Sequence, residues 1–224
     1  MRSMFVLSIA LLASPWAAAA EPQPHAARAD HRFDDVERWV EEFESPDRGT
    51  WQKPAIIVRV LTLEPGQIVA DLGAGTGYFT KILSVGVGES GKVYAVDVEP
   101  RMLEYIRGRN DLVKNVVTVE ATPDDPKLPA REIDLVMVAN TWHHIGNRIA
   151  YLGKLRPALS REGRVAIIDW REGEIPMGPP PEMRLGRDEV VAEFEQAGWR
   201  LATESVALPY QYFLVFYPPP APAP

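Results

Sequence analysis

The 224-residue sequence predicts an α/β fold: a Rossmann-like sheet of seven strands, five of them parallel, with a C-terminal antiparallel hairpin and helices on both faces. The first reason is that short, β-branched apolar segments alternate with segments of helical periodicity, which is typical of a parallel sheet covered on both sides. The second is that the last two strand-like segments, "WRLATESVAL" and "YQYFLVFY", have a connection too short for a crossover helix. We therefore expect these two segments to pair antiparallel.

The individual elements follow from these patterns in chain order. Apolar residues at helical spacing between 33 and 43 predict an amphipathic helix, and a second helix is expected from about Pro54. The parallel strands are predicted at residues 68–71, 93–97, 116–120, 133–139 and 163–169. The helices that follow the first strand are expected to bury Phe79, Ile82 and Leu83, then Met102, Leu103 and Ile106, then Ile149, Leu152 and Leu155, and finally Val190, Val191, Phe194 and Ala197.

The amino-terminal residues 1–20 have the layout of a secretory signal peptide. Arg2 precedes an apolar stretch, and Ala18 to Ala20 form an A-x-A cleavage site ahead of Glu21. The apolar part is shorter than the ~20 residues that span a bilayer. We expect export, periplasmic or secreted, without stable membrane insertion after cleavage; an uncleaved anchor is the alternative.

The remaining chain divides by composition. Residues 21–32 are rich in Pro and Ala and predict a linker, and residues 218–224 predict a Pro-rich disordered tail. Residues 33–217 form the predicted folded domain, in which residues 33–66 are a helical segment expected to cover the site as a lid. The sequence does not predict an oligomeric state.

Charge and cysteine content exclude several classes of function. The formal net charge is −7 with no basic run, which argues against a nucleic-acid partner. The chain contains no cysteine, so disulfides, thiolate nucleophiles and cysteine-ligated metals are excluded, and we predict no metal site.

Three glycines at alternate positions follow the first predicted strand, in "VADLGAGTGYFTK". Gly73, Gly75 and Gly77 allow the backbone to turn sharply and to approach a ligand, and free N–H groups are expected at the start of the next helix. The third glycine comes one residue too early for the dinucleotide fingerprint G-x-G-x-x-G, and the Lys-Ser/Thr ending of a P-loop is missing. An NAD-dependent oxidoreductase is therefore disfavoured.

Asp97 ends the second predicted strand, 20 residues after Gly77. A carboxylate at this position can accept hydrogen bonds from both hydroxyls of a ribose, and it favours an unphosphorylated ribose. A tight structural turn followed by a solvated Asp is the alternative interpretation.

Four segments together resemble the class I S-adenosylmethionine-dependent methyltransferases over residues 51–217. They are "VADLGAGTGYFTKIL", "GKVYAVDVEPRML", "EIDLVMVANTWHHI" and "GRVAIIDW", and the final hairpin adds to the likeness. The resemblance implies S-adenosylmethionine as the cofactor, with the glycine loop against its methionine half, Asp97 on the ribose, Met102 on the adenine ring, and Asp124 or Asp125 near the adenine amino group. The cofactor-binding residues that it implies are Asp71, Gly73, Gly75, Gly77, Asp97, Met102, Asp124, Asp125 and Asn140.

The segment "NTWHH" follows the fourth strand and should open onto the same crevice. His143 and His144 are candidate general bases for a hydroxyl or amine acceptor. The alternative is that one histidine caps the following helix and the other lies on the surface. Trp51 and Trp142 are candidate substrate contacts, although each is also explained as a packed aromatic.

The function expected from these residues is methyl transfer to oxygen or nitrogen of a small molecule. The N/D-P-P-Y/F motif of enzymes that methylate amino groups of nucleic-acid bases is missing, because that position is "ANTW". The alternative is an exported, non-catalytic binding module of the same fold that holds an adenosine-like or other small ligand.

Overall fold

The computed structural model describes residues 35–220, and it confirms the predicted fold. The strands are β1 Ile68–Leu72, β2 Lys92–Asp97, β3 Val116–Glu120, β4 Ile133–Ala139, β5 Leu159–Trp170, β6 Arg200–Ser205 and β7 Gln211–Tyr217. They form one sheet in the order β3-β2-β1-β4-β5-β7-β6. β1 to β5 run parallel, and β7 pairs antiparallel with both β5 and β6. The predicted signal peptide, the linker and the last four residues of the predicted tail lie outside the described residues.

Seven α-helices accompany the sheet within the described residues. They are α1 Val36–Phe43, α2 Arg48–Gln52, α3 Pro54–Leu61, α4 Tyr78–Val87, α5 Pro100–Gly108, α6 Arg148–Leu155 and α7 Arg187–Gln196. The short helix α2 was not predicted, because five residues are too few to show helical periodicity. No helix between residues 35 and 220 is long and apolar enough to cross a membrane.

The two faces of the sheet are covered by different helices. Successive strand residues point to opposite faces, so β1 directs Val69 to one side and Ala70 to the other. Val69 packs in a core with the apolar residues of α3 and α4, whereas Ala70 packs in a second core with those of α6 and α7. The crevice at the carboxyl edge of the parallel strands is therefore bordered by two separate packing layers.

Strand β5 begins at Leu159, four residues earlier than predicted. Leu159 pairs with Ile133 before an irregularity in the β4–β5 register. Gly163 lies beside this irregularity, and a Cβ there would be 2.6 Å from the carbonyl oxygen of Ile133. The glycine permits the close backbone approach that lengthens the strand.

The buried face of α6 differs from the prediction at one position. Ile149 is 36% exposed, so its predicted burial is wrong. Arg148 is buried in its place, because its guanidinium donates to Glu193 at 2.6 and 2.7 Å and to Glu189 at 3.1 Å. These bonds join α6 to α7 and satisfy the buried charge.

Candidate active site at the carboxyl edge of the sheet

The glycine loop turns tightly between β1 and α4. Gly73, Gly75 and Gly77 have φ angles of 77°, 53° and 88°, the left-handed region that favours glycine. The N–H groups of Gly73 and Ala74 both donate to the carbonyl oxygen of Val96, at 2.8 and 3.0 Å. A Cβ added at Gly73 would lie 2.7 Å from Cβ of Thr141, so the loop after β4 packs directly against it.

Asp71 lies beneath this loop and is 2% exposed. Its Oδ2 accepts a hydrogen bond from the Thr80 hydroxyl at 2.7 Å. Burial raises the pKa of Asp71 to about 6, and the Thr80 hydrogen bond and the nearby Arg48 charge only partly oppose this effect. Asp71 supports the loop from below, on the same side of the sheet as α4.

Asp97 ends β2 and is bonded to the same loop. Oδ2 accepts from the Gly75 N–H at 2.7 Å, and Oδ1 accepts from the Glu99 N–H at 3.0 Å. Burial raises the pKa of Asp97, while these backbone donors act in the opposite direction. Each carboxylate oxygen has further acceptor capacity, so the group can still bind hydroxyls.

The apolar side chain next to Asp97 is Val98, which is 46% exposed. Met102, which the resemblance placed on adenine, is 1% exposed within α5. Because Val98 is apolar and exposed beside Asp97, the predicted ribose ligand, a planar ring can pack on it. In the structure, Val98 is therefore the apolar side chain at the surface that adenine could contact, whereas Met102 is buried.

Asp124 and Asp125 lie in a turn after β3. Asp124 Oδ1 accepts from the Thr122 hydroxyl, and Asp125 Oδ1 accepts from the Lys127 N–H, both at 2.8 Å. Asp124 is exposed and Asp125 is partly buried. Both carboxylates stabilise their own turn, and the choice between them as an adenine contact stays open.

Helix α1 covers the outer side of the glycine loop. The Phe43 ring would lie 3.5 Å from a Cβ at Gly75. Glu44 accepts a hydrogen bond from the Thr76 hydroxyl at 3.0 Å and forms an ion pair with Arg109. Arg109 also donates to the carbonyl oxygen of Thr76 at 2.8 Å. These contacts attach the end of α1 to the glycine loop, and the role of residues 33–66 as a lid stays a prediction.

Helix α2 is attached more deeply, through Arg48 and Gln52. The Arg48 guanidinium lies 4.0 Å from the Tyr78 ring centroid and donates to the Phe43 carbonyl oxygen at 2.7 Å. Burial lowers the pKa of Arg48 to about 10, although Tyr78, Asp71 and Glu44 act in the opposite direction. Arg48 therefore remains charged at neutral pH.

Three side-chain amides, two of them buried and that of Asn140 partly buried, link α2 to the ends of β4 and β7. Gln52 Nε2 donates to Gln211 Oε1 at 2.7 Å, Gln211 donates to Asn140, and Asn140 Nδ2 donates to Gln52 at 3.4 Å. Asn140 has a φ of 57°, and its N–H donates to the Ile168 carbonyl oxygen. The predicted cofactor residue Asn140 thus lies at the crevice with both side-chain atoms engaged.

Trp51 is partly buried at the same edge. Its ring packs on Trp170 at the end of β5, with centroids 5.2 Å apart. The loop after β5 covers Trp170, since a Cβ at Gly178 would lie 2.7 Å from the Trp170 ring. Both interpretations of Trp51, substrate contact and packed aromatic, are compatible with this position.

His143 is held by Asp169 at the end of β5. Nδ1 of His143 lies 2.8 Å from Asp169 Oδ1 and 3.0 Å from Oδ2, and the His143 N–H donates to Oδ2 at 3.1 Å. The Asp169 side chain is 1% exposed and that of His143 is 4% exposed. The pair combines a buried carboxylate with an imidazole, which is the arrangement used to orient a general base.

The two residues on either side of His143 have different positions. The His144 ring lies 4.1 Å from the His143 ring, and His144 is partly buried. Trp142 is fully buried and packs against Tyr151 and Phe194. Its prediction as a substrate contact is therefore wrong, because the ring lies in the core beneath α6 and α7.

Sequence reasoning missed Asp169 and Val98. Asp169 is the penultimate residue of the fifth strand, in "IIDW", just as Asp71 and Asp97 lie at or near the ends of theirs, so the signal was a third acid near a strand end. Val98 could have been found as the only apolar residue between Asp97 and α5. Gln211 gave no signal, because its partners lie 71 and 159 residues away.

Comparison with known proteins shows that the chain is similar to methyltransferases. The family model described as a methyltransferase domain matches residues 69–163. A solved structure of a SAM-dependent methyltransferase from Aquifex aeolicus is 30% identical, with a TM-score of 0.76, and the match covers 81% of this chain and 97% of that one. A structure described as a DhpI–SAM–HEP complex shares the fold at 20% identity, with a TM-score of 0.62 and coverage of 82% and 92%.

Curated relatives include the ubiquinone/menaquinone biosynthesis C-methyltransferase UbiE of Burkholderia mallei (strain SAVP1). The two sequences are 31% identical over 118 residues, which are 52% of this chain and 48% of that protein. The match thus spans about half the length of that relative. It supports a shared methyl-transfer domain and leaves the acceptor undetermined.

Proposed function

Because the chain belongs to the class I S-adenosylmethionine-dependent methyltransferases, we propose that it transfers the cofactor methyl group to oxygen or nitrogen of a small-molecule acceptor. S-adenosylmethionine is the cofactor of the family, and the acceptor is the open question. The observation that carries the proposal is the position of His143, which is held by Asp169 of β5 and lies on the loop that packs against Gly73 through Thr141.

The residues present suit the cofactor. A Cβ at Gly73 would collide with Thr141, so this glycine lets the loop after β4 pack directly against the glycine loop and brings the two loops together at the crevice. Asp97 offers carboxylate oxygens for ribose hydroxyls, and Val98 offers an exposed apolar surface for adenine. Arg48 is a buried cation without a carboxylate in hydrogen-bond contact among the described residues, so it favours negative charge nearby.

When bound, S-adenosylmethionine supplies a methyl group that its sulfonium sulfur activates for displacement. Little further activation is required, so the chain contributes mainly position and exclusion of water. A neutral hydroxyl or a protonated amine is a poor nucleophile, and His143 removes the proton that limits it. Asp169 orients the imidazole for that task.

A second candidate is transfer to carbon of an electron-rich ring. The curated relatives are named as C-methyltransferases, and this observation favours it. The same base can serve both reactions, because a phenolate carries negative charge on oxygen and on its ring carbons. Trp51, packed on Trp170, provides an aromatic surface near the crevice for a planar acceptor.

The experiment measures S-adenosylhomocysteine formed when the protein is incubated with S-adenosylmethionine and catechol, hydroquinone or tyramine. We expect product above the acceptor-free control with at least one probe, and NMR of that product distinguishes methyl on oxygen, nitrogen or carbon. Tight cofactor binding with no turnover on any probe would favour the non-catalytic binding module instead.

We also propose that the protein acts outside the cytoplasm on small molecules rather than on nucleic acid. The proposal rests on the signal-peptide pattern of residues 1–20 and on the acidic net charge of −7. Mass spectrometry of the protein from a periplasmic or secreted fraction tests it. A mature N-terminus at Glu21 supports cleavage and export, whereas an intact Met1 in the membrane fraction supports the anchored alternative.

A further inference from the structure

Asp169 is surrounded by hydrogen-bond donors that belong to two different elements. Its Oδ1 accepts from the Trp170 N–H at 2.9 Å, and its Oδ2 accepts from the His143 N–H at 3.1 Å. The remaining partner is Nδ1 of His143, at 2.8 Å from Oδ1 and 3.0 Å from Oδ2. Two backbone donors stabilise negative charge on this carboxylate, and a carboxylate only accepts hydrogen bonds.

We propose that Asp169 is a positioning residue that holds His143 with its proton on Nδ1, so that Nε2 is the proton acceptor in the reaction. The inference rests on the proposed function, in which His143 is the general base. Both main-chain and side-chain contacts bind His143 to the same carboxylate, so the ring can neither rotate about χ2 nor shift without losing a bond.

Nε2 of His143 is left available by this arrangement. It makes no hydrogen bond to any residue between 35 and 220. Three fully buried side-chain atoms of that part of the chain lack a partner, namely Asn115 Oδ1, Trp142 Nε1 and Tyr212 Oη, and Nε2 is not among them. Nε2 is therefore the ring nitrogen that Asp169 does not hold, in a side chain that is 4% exposed.

The charged and titratable groups around the pair are few. His144 stacks beside His143 at 4.1 Å between centroids. Tyr212 is paired with Asp169 in the β5–β7 register, and burial together with the Asp169 charge raises its pKa well above 10. Arg148 and its partners Glu193 and Glu189 also interact electrostatically with Tyr212. Tyr212 therefore stays neutral and adds no negative charge beside Asp169. Asp169 is the carboxylate that contacts the His143 imidazole.

The proton balance follows from these positions. As the bond from acceptor oxygen or nitrogen to the methyl carbon forms, the bond from sulfur to that carbon breaks and the sulfonium becomes a neutral thioether. The acceptor proton moves to Nε2 of His143, so the positive charge passes from sulfur to the imidazole. Asp169 then faces an imidazolium through the Nδ1–H bond, which stabilises the new charge.

The test observes the tautomer directly, by long-range ¹⁵N–¹H NMR of the histidine rings. The chain has four histidines, so His143→Gln and His144→Gln assign the two signals of interest. In the neutral wild-type ring we expect the proton on Nδ1. In Asp169→Asn the new amide donates to Nδ1, so we expect the proton to move to Nε2. An identical tautomer in both proteins would overturn the proposal.

Turnover separates this inference from the proposed function. With the probe that gives product among catechol, hydroquinone and tyramine, Asp169→Asn should lower kcat at least 100-fold and leave the KM for S-adenosylmethionine within about 3-fold. A kcat within about 3-fold of wild type would overturn the positioning role even if the tautomer changes. If no probe reacts, the function fails, and the tautomer measurement alone decides whether Asp169 positions His143.

Discussion

The crevice has a glycine-loop half, after β1 and β2, and a histidine half, after β4 and β5. Each half has a buried aspartate near a strand end, but the hydrogen-bond partners of the two aspartates differ. Asp71, beneath the glycine loop, receives one side-chain hydroxyl, and burial raises its pKa to about 6. Asp169, beside His143, receives two backbone N–H groups and an imidazole. The same residue type at nearly equal burial thus supports a backbone turn in one half and orients an ionisable side chain in the other.

The two halves also differ in which parts of the chain they join. The glycine-loop half is built from neighbouring segments: Gly75 and Asp97 are 22 residues apart, and Asp71 and Thr80 are nine apart. In the histidine half, His143 and Asp169 are 26 residues apart, but the adjoining amides of Asn140, Gln52 and Gln211 join elements up to 159 residues apart. Substitutions in the two halves should therefore separate cofactor binding from turnover.

The largest effect is expected at Gly73. In Gly73→Val the new side chain would collide with Thr141 in a backbone conformation that valine rarely adopts, so we expect no measurable binding of S-adenosylhomocysteine by calorimetry. Gly153→Val in α6 is the matched control, because nothing lies within 4 Å of a Cβ there. Wild-type affinity in Gly73→Val would show that ligand and loop do not meet at Gly73.

Asp97→Ala should weaken S-adenosylhomocysteine binding about 1,000-fold. Two ribose hydroxyls lose a charged acceptor, and each such bond contributes about 1.5 to 3 kcal/mol. The Gly75 N–H also loses its partner. Glu120→Ala, at the paired position of β3, is the control and should bind as wild type. A loss below about 5-fold for Asp97→Ala would place the ribose elsewhere.

Asp71→Asn tests the pKa difference through the pH dependence of stability. The folded-state pKa of Asp71 is about 6 against an ordinary value of 3.8, so between these values the folded protein binds the extra proton. The free energy of unfolding then falls as pH rises from about 4 to 6, by about 3 kcal/mol. Asp71→Asn should remove most of that fall, and Asp97, whose pKa is also raised, should keep a remainder. Parallel stability curves for the two proteins would contradict the burial argument.

The smallest effect is expected for Tyr212→Phe. The Tyr212 hydroxyl is buried without a hydrogen-bond partner, so its removal should change the free energy of unfolding by less than about 0.5 kcal/mol. Tyr212→Ala, which also removes the ring, should cost about 3 to 5 kcal/mol. A cost above about 1.5 kcal/mol for Tyr212→Phe in chemical denaturation would mean that the hydroxyl has a partner, with Asp169 the nearest candidate.

The fold was predictable because its signals are local. Apolar periodicity located the parallel strands, and the short connection before β7 identified the antiparallel hairpin. The early start of β5 was not predictable, since it depends on Gly163 packing against Ile133 across the strand pair. Ile149 was assigned to the core for a related reason: its neighbour Arg148 is buried by ion pairs with α7 that periodicity does not reveal.

The candidate site was likewise predictable only where its signals are local. The glycine loop and Asp97 were found from spacing, and their mutual contact is present in the structure, while their cofactor roles stay predictions. His143 was found, but Asp169 was not, because the pair forms only when β4 and β5 lie side by side. Trp142 could not be placed, since the buried indole and the imidazole that contacts Asp169 belong to adjacent residues.

The most direct test that the glycine loop and His143 belong to one active site is an NMR titration of the protein with S-adenosylhomocysteine that follows both halves in one sample. The amide signals of Gly73, Gly75 and Gly77 report one half, and the ring nitrogens of His143 report the other. We predict that both sets change together with a single dissociation constant, because Thr141 joins the two loops at Gly73. Changes at the glycines with an unaltered His143 would contradict the claim that the two halves form one active site.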